Sequence, residues 1–163
     1  MHWLTTHSEE RSTCRMIESF GGFVTHKTRW PFSRVNSVNL QGANLGDDPV
    51  RQFAILPAMT AITLGHTKIT NAVVEHLTQF NNLSCLFLQG TRINDGCVPA
   101  LSAMHSLRLL SVQDTEVTYD ACVELSAANP NCLICHADDV TFFNSSTDPA
   151  SNYQCWLDRD SDT

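Results

Sequence analysis

Cys132-Leu133-Ile134-Cys135-His136 is the stretch whose residue types and spacing most directly suggest chemistry. Two cysteines separated by two residues and followed by histidine elsewhere attach a c-type haem, and the same thiols and imidazole are zinc ligands. The surrounding pattern argues against both. Ile134 falls in register with Leu86 and Leu110, so the string is expected on the last strand of a sheet. In extended chain, residues three apart point to opposite faces and lie roughly 10 Å apart, too far for both sulfurs to reach one porphyrin or one zinc. No cofactor and no metal is therefore expected.

The other reactive side chains are scattered. Seven cysteines is an odd number, spread over expected helix, strand and tail positions, which suits packing in a reducing compartment better than a disulfide framework. Cys97 and Cys122 are expected to be near neighbours and to remain thiols. His66, His76 and His105 occupy three different places in the pattern and are expected as surface histidines. No Gly-rich phosphate loop, nucleophile elbow or metal-binding helix motif is present, and an enzyme is not expected.

What positions these residues is an internal repeat. At a shift of 24 residues the apolar positions align without insertion: Val38, Ile62, Leu86, Leu110 and Ile134 form one column, and Leu40, Leu64, Leu88 and Val112 another. Leu45, Ile69, Ile93 and Val117 make a third column, and Thr67, Thr91 and Thr115 a fourth. Two more are Val50, Val74, Val98, Cys122 and Phe53, Leu77, Leu101, Leu125. Each period opens with alternating apolar residues, which predicts a short strand. A T-x-I turn follows, then an N-cap at Thr70, Asn94 or Thr118, with Gly46 or Asp47 in the first repeat, and then apolar residues at helical spacing. One strand and one helix cannot bury an apolar face alone. Stacked units can, with the strands parallel in one sheet and the helices behind it.

The residues in these columns resemble the leucine-rich repeat family, in the form L-x-x-L-x-L-x-x-T-x-I-T/N-D. They are similar to its bacterial repeats and to the cysteine-containing repeats of F-box proteins. The resemblance covers roughly 35–136. It implies an α/β solenoid with a parallel sheet on the concave side and one helix per repeat on the convex side. It also implies a non-catalytic module that binds another protein through the concave face. The family's turn asparagine is replaced by Thr67, Thr91, Thr115 and Ala43, and the threonine hydroxyls are expected to satisfy turn amides.

Around the repeats, 1–34 is expected to be an N-terminal cap. Thr6 and Glu9 fit a capping box; Cys14, Ile17 and Phe20 share one helical face; Gly21 ends the helix. Residues 22–28 read as extended and Arg29-Trp30-Pro31 as a loop. In 137–163, which carries six Asp and one Arg, Val140–Phe143 is expected to close the last repeat, and the rest to be a disordered acidic tail.

The concave positions form three columns. Ser37, Ala61, Cys85, Leu109 and Leu133 make the first, Asn39, Thr63, Phe87, Ser111 and Cys135 the second, and Gln41, Gly65, Gln89, Gln113 and Ala137 the third. The candidate partner-binding residues are Asn39, Gln41, Thr63, Cys85, Phe87, Gln89, Leu109, Ser111 and Gln113. An exposed Phe87 beside an exposed Leu109 suits a binding hot spot, and the glutamines can pair with a partner's backbone. The haem or metal reading of Cys132, Cys135 and His136 is the alternative.

Composition narrows the partner. The 163 residues are 42% hydrophobic and 17% charged, as in a globular domain, with a formal net charge of -7 and no Lys/Arg run. Nucleic acid is not an expected partner. No stretch approaches the roughly 18 apolar residues of a membrane span, and the first residues lack signal-peptide character, so a cytoplasmic protein is expected.

Overall fold

The computed structural model describes residues 2–29, 32–56, 58–137 and 140–142. Among these residues seven strands form one sheet, in the order β1 (Phe23–Arg29), β2 (Phe32–Asn39), β3 (Ala61–Thr63), β4 (Cys85–Phe87), β5 (Leu109–Ser111), β6 (Leu133–Ala137) and β7 (Val140–Phe142). From β2 to β6 the pairing is parallel, and Val38, Ile62, Leu86, Leu110 and Ile134 lie side by side, as the repeat alignment requires. The side chains of that column are at most 1% exposed, as are those of Leu40, Leu64, Leu88 and Val112.

Behind the sheet run short helices: α2 (Asp47–Arg51), α3 (Asn71–Leu77), α4 (Val98–Ser102) and α5 (Tyr119–Ala128). Asp95–Cys97 adds a 3-10 turn ahead of α4, and a second 3-10 turn follows α2. Their inward residues Val50, Val74, Val98 and Cys122, with Phe53, Leu77, Leu101 and Leu125, join the same core. The helices are shorter than the apolar spacing predicts, so Phe80 and Met104 pack from beyond the ends of α3 and α4.

Each repeat turns the same way. Backbone bonds continue the sheet past the strands, from Gly42 N to Gly65 O, His66 N to Gln89 O and Gly90 N to Gln113 O, at 2.7–2.8 Å. At the T-x-I turns, Lys68, Arg92 and Glu116 donate their amides to Leu45, Ile69 and Ile93 of the previous repeat. The turn threonines act differently from the expectation. The hydroxyls of Thr67, Thr91 and Thr115 each donate, at 2.6 Å, to the carbonyl three residues earlier rather than chiefly accepting from amides. A hydroxyl can do this because it carries a proton to give to a buried carbonyl.

The predicted N-caps are in place: the side chains of Thr70, Asn94 and Thr118 accept from Ala72, Gly96 and Ala121 amides, and Gly46 caps α2 without a side-chain bond. Between repeats the caps are themselves held. The Asp47 carboxylate accepts from Thr70 N (2.9 Å) and Oγ1 (2.8 Å), and Asp95 does the same for Thr118 (2.7 and 2.9 Å). In the middle step Asn71 Oδ1 accepts from Asn94 N at 3.0 Å while its Nδ2 donates to Asn94 Oδ1.

At the N-terminal end, α1 (His2–Ser19) begins before Thr6, so Thr6 lies inside the helix and is not its cap. The other end agrees with the reading. Gly21, at φ +78°, donates to Glu18 O, and Gly22 donates to Ile17 O, which is a Schellman closure. Ile17 is buried, and Glu10 Oε1 accepts from Val35 N, which ties α1 to β2. The extended segment predicted for 22–28 is β1, and it forms an antiparallel hairpin with β2, which starts at Phe32, ahead of the first repeat strand. Trp30 and Pro31 of the expected loop lie outside the described residues, as does the tail from Phe143 onward. The closing segment is β7, antiparallel to β6, with Ile134 opposite Phe142.

Candidate functional site

The face of the sheet opposite the helices is built by period-2 alternation: in each three-residue strand the middle side chain enters the core, and the outer two leave by the other face. Parallel pairing then sets the columns. Asn39, Thr63, Phe87 and Ser111 are successive partners, as are Ser37, Ala61, Cys85, Leu109 and Leu133. The backbone bonds beyond the strands bring Gln41, Gly65, Gln89 and Gln113 alongside. The nine candidate residues thus occupy one continuous face.

Their exposure differs from the expectation. Phe87, Gln89, Leu109 and Gln113 are half-buried and Gln41 is exposed, but Thr63 (8%), Cys85 (7%) and Ser111 (5%) are buried. Strands about 4.8 Å apart leave a small side chain little access between longer neighbours. The accessible part of the face is therefore carried by the longer side chains.

Polar groups on this face mostly answer one another. Asn39 Oδ1 accepts from Gln41 N at 3.0 Å, and Ser111 Oγ donates to Gln113 Oε1 at 3.4 Å. Gln89 is different. Its amide lies against Gly65, where a Cβ would come within 2.6 Å of Gln89 Cδ, and its Oε1 is buried with no hydrogen-bond partner.

The Cys132–His136 string lies on β6 and the residue preceding it. Cys132, 3% exposed, belongs to the core, whereas Cys135 pairs with Ser111 and Thr141 across the sheet. His136 Nε2 donates to Val117 O at 2.9 Å. Burial pushes the Cys132 thiol up to about 12, although nearby Arg108 acts the other way. A buried, protonated thiol is a poor metal ligand and nucleophile. Among the described residues no group of three or more His, Cys, Asp or Glu is arranged to hold a metal ion. Cys97 and Cys122 are thiols, as expected, each held near 11 by burial.

Two of the three repeat histidines bond between repeats, beyond the surface role expected of them. His76 Nε2 donates to Arg51 O at 2.8 Å, and His105 Nδ1 donates to Asn129 Oδ1 at 3.2 Å. Sequence reasoning also missed a column 24 residues apart at the turns: Gly42, His66, Gly90 and Asp114, all at positive φ. The two glycines carry its only signal.

No protein-family model matches the chain, and no curated protein matches it. Several solved structures are similar. The actin-binding site 2 of Leiomodin-1 is 12% identical at a TM-score of 0.50, over 76% of this chain and 77% of that one. The leucine-rich repeat ectodomain of the receptor kinase SOBIR1 from Arabidopsis thaliana is 13% identical (TM-score 0.49), over 80% of this chain and 92% of that one. An internalin C2 from Listeria monocytogenes is 22% identical (TM-score 0.44), over 55% of this chain and 39% of that one. The chain therefore spans well under half of that internalin. At these identities the likeness is one of fold. With one strand and one helix per period, stacked parallel and in register, the fold is an α/β leucine-rich repeat solenoid. No helix of the described residues is long and apolar enough to cross a membrane.

Proposed function

We propose that the chain is a non-catalytic module that binds another protein through the concave face of its sheet, centred on Phe87, Leu109 and Gln89. The observation that carries this reading is the face itself: a continuous surface whose accessible part includes two half-buried apolar side chains, Phe87 and Leu109, with a column of glutamines along one edge. Apolar anchors within a polar surround are the anatomy of an interface core. The segment 1–34 and the closing strand β7 act, in this reading, as caps that shield the ends of the solenoid. The cysteine usage favours a reducing compartment such as the cytoplasm.

The test is affinity capture from host lysate with three proteins in parallel: wild type, Phe87→Asp, and Glu75→Lys, which alters the exposed surface of α3. The expected result is a partner retained by wild type and by Glu75→Lys and lost with Phe87→Asp. A partner lost instead with Glu75→Lys moves the binding site to the helix layer.

A further inference from the structure

The charges of the chain are sorted along its length. Residues 1–34 carry five Lys or Arg against three Asp or Glu, 35–108 carry four against four, and 109–163 carry one against ten. The N-terminal end is therefore positive, the middle neutral and the C-terminal end strongly negative. In a sheet whose strands follow one another in chain order from β1 to β7, this order in sequence becomes an order in space. One edge of the solenoid is basic and the opposite edge acidic.

The first and last helices carry the difference at their surfaces. α1 packs against β1 and the 3-10 turn that follows α2, with Thr13 and Ile17 buried, and leaves Arg11 and Arg15 exposed one turn apart. Glu18 is the single exposed acid among its described side chains. α5 packs against α4, β6 and β7, with Ala121, Cys122 and Leu125 buried, and leaves Asp120 and Glu124 exposed, also one turn apart. Beside them on α5 stand Tyr119 and Val123, 56% and 47% exposed. The one other exposed large apolar side chain among the described residues is Phe23, on β1 at the opposite edge. Such residues thus gather at the two ends and are absent from the described repeats between, which is the distribution of an interaction surface at each end.

A terminal unit of a solenoid needs a polar outer face to stay soluble, and a face of either sign meets that need. Opposite signs at the two ends do something more. They remove the repulsion that like-charged ends would set up between copies, and they offer arginines to carboxylates and to a tyrosine ring, both of which a guanidinium binds.

We infer that the basic N-terminal end of one copy of this chain stacks on the acidic C-terminal end of another, with Arg11 and Arg15 of α1 set against Asp120, Glu124 and Tyr119 of α5. The two surfaces differ and lie at opposite edges of the sheet, so the contact is head-to-tail and each added copy leaves one end of each kind open. The concave face takes no part in it, and its proposed role stands or falls separately.

The experiment is sedimentation velocity of the full chain over a concentration series, at low salt and at about 0.5 M salt, where charges more than a few ångströms apart are screened. Two variants accompany the wild type. Arg11→Glu with Arg15→Glu turns the exposed pair on α1 acidic, and Asp120→Lys with Glu124→Lys turns the pair on α5 basic. All four positions are exposed, so each variant is expected to melt as the wild type does. The expected wild-type sedimentation coefficient rises with concentration at low salt without saturating at a dimer, and falls back at high salt. Each variant alone is expected to associate about tenfold more weakly or not at all. Mixed in equal amounts, the two variants are expected to associate again, because each acidic helix now meets a basic one. A wild type that stays monomeric at low salt overturns the inference, even where a basic peptide such as oligolysine binds α5 in place of a second copy. A dimer that saturates, association indifferent to salt or to the variants, or variants that stay apart when mixed overturn it equally. A variant that fails to melt cooperatively is replaced by its two single substitutions, judged by the same series.

Discussion

At Gly90 two constraints meet in one residue. The backbone is left-handed, φ +64°, and an added Cβ would collide with the His66 imidazole at Nδ1. Gly42 shares the conformation at φ +72° but faces open space. Gly42→Ala is expected to lose about 1 kcal/mol from the left-handed conformation alone, and Gly90→Ala about 2 kcal/mol or more, with the collision added. Urea midpoints of the two variants measure the difference. The column was hard to read because histidine and aspartate tolerate this conformation at His66 and Asp114, so no single residue type repeats. The buried thiols make a second residue-scale expectation. Burial raises Cys97 and Cys122 to about 11 and Cys132 to about 12, from 9.0. The folded state therefore keeps protons that the unfolded chain releases. Their contribution to stability is fully present below pH 9.0 and is lost as pH rises towards about 11 and 12. Denaturant unfolding at stepwise higher pH should show this fall, and Cys97→Ala should make it shallower.

Among the elements, the helix starts form a chain of caps that runs from repeat to repeat. Thr70 and Thr118 each offer an amide and a hydroxyl proton, and each is met by a carboxylate, Asp47 or Asp95. Asn94 presents an amide proton and an oxygen instead, and is met by an amide, Asn71. Donor must face acceptor, so acid pairs with Thr and amide with Asn. Asn71→Asp places a carboxylate oxygen against Asn94 Oδ1 and is expected to cost about 1–2 kcal/mol, and Asn94→Thr added to it should restore most of the loss. Asp95→Ala, which leaves Thr118 unsupported, should cost a similar amount. A double-mutant cycle on urea midpoints checks both. The caps Thr70, Asn94 and Thr118 were legible because capping is local. Their partners lie a repeat away and become neighbours only after stacking.

For the whole molecule, stability is shared along one continuous core. Leu86, at its centre, has no exposed surface. An unpaired buried charge there costs several kcal/mol against a total of roughly 5–15, so Leu86→Asp is expected to abolish cooperative melting. Phe87→Asp, one residue along on the opposite face, should leave the cooperative transition in place. Retained melting of Leu86→Asp near the wild-type temperature would contradict the register. The ends are closed by antiparallel pairs, β1 on β2 and β7 on β6, so the parallel stack finishes in hairpin-like geometry on both sides.

By itself the sequence determined the period, the parallel register, the core columns and the side of the sheet to which each strand residue points. These follow from local chemistry repeated at a constant spacing, and side-chain alternation needs no distant information. The same alternation put Cys135, on β6, and Cys132, just before it, on opposite sides of the sheet, as the structure has them. Only the tertiary structure decided how much of the sheet face opposite the helices is accessible, which caps bridge repeats, and that Gln89 Oε1 lies buried with the amide against Gly65. Accessibility and hydrogen-bond satisfaction depend on what neighbouring strands leave open once packed, and a linear pattern of residue types carries no record of those distances.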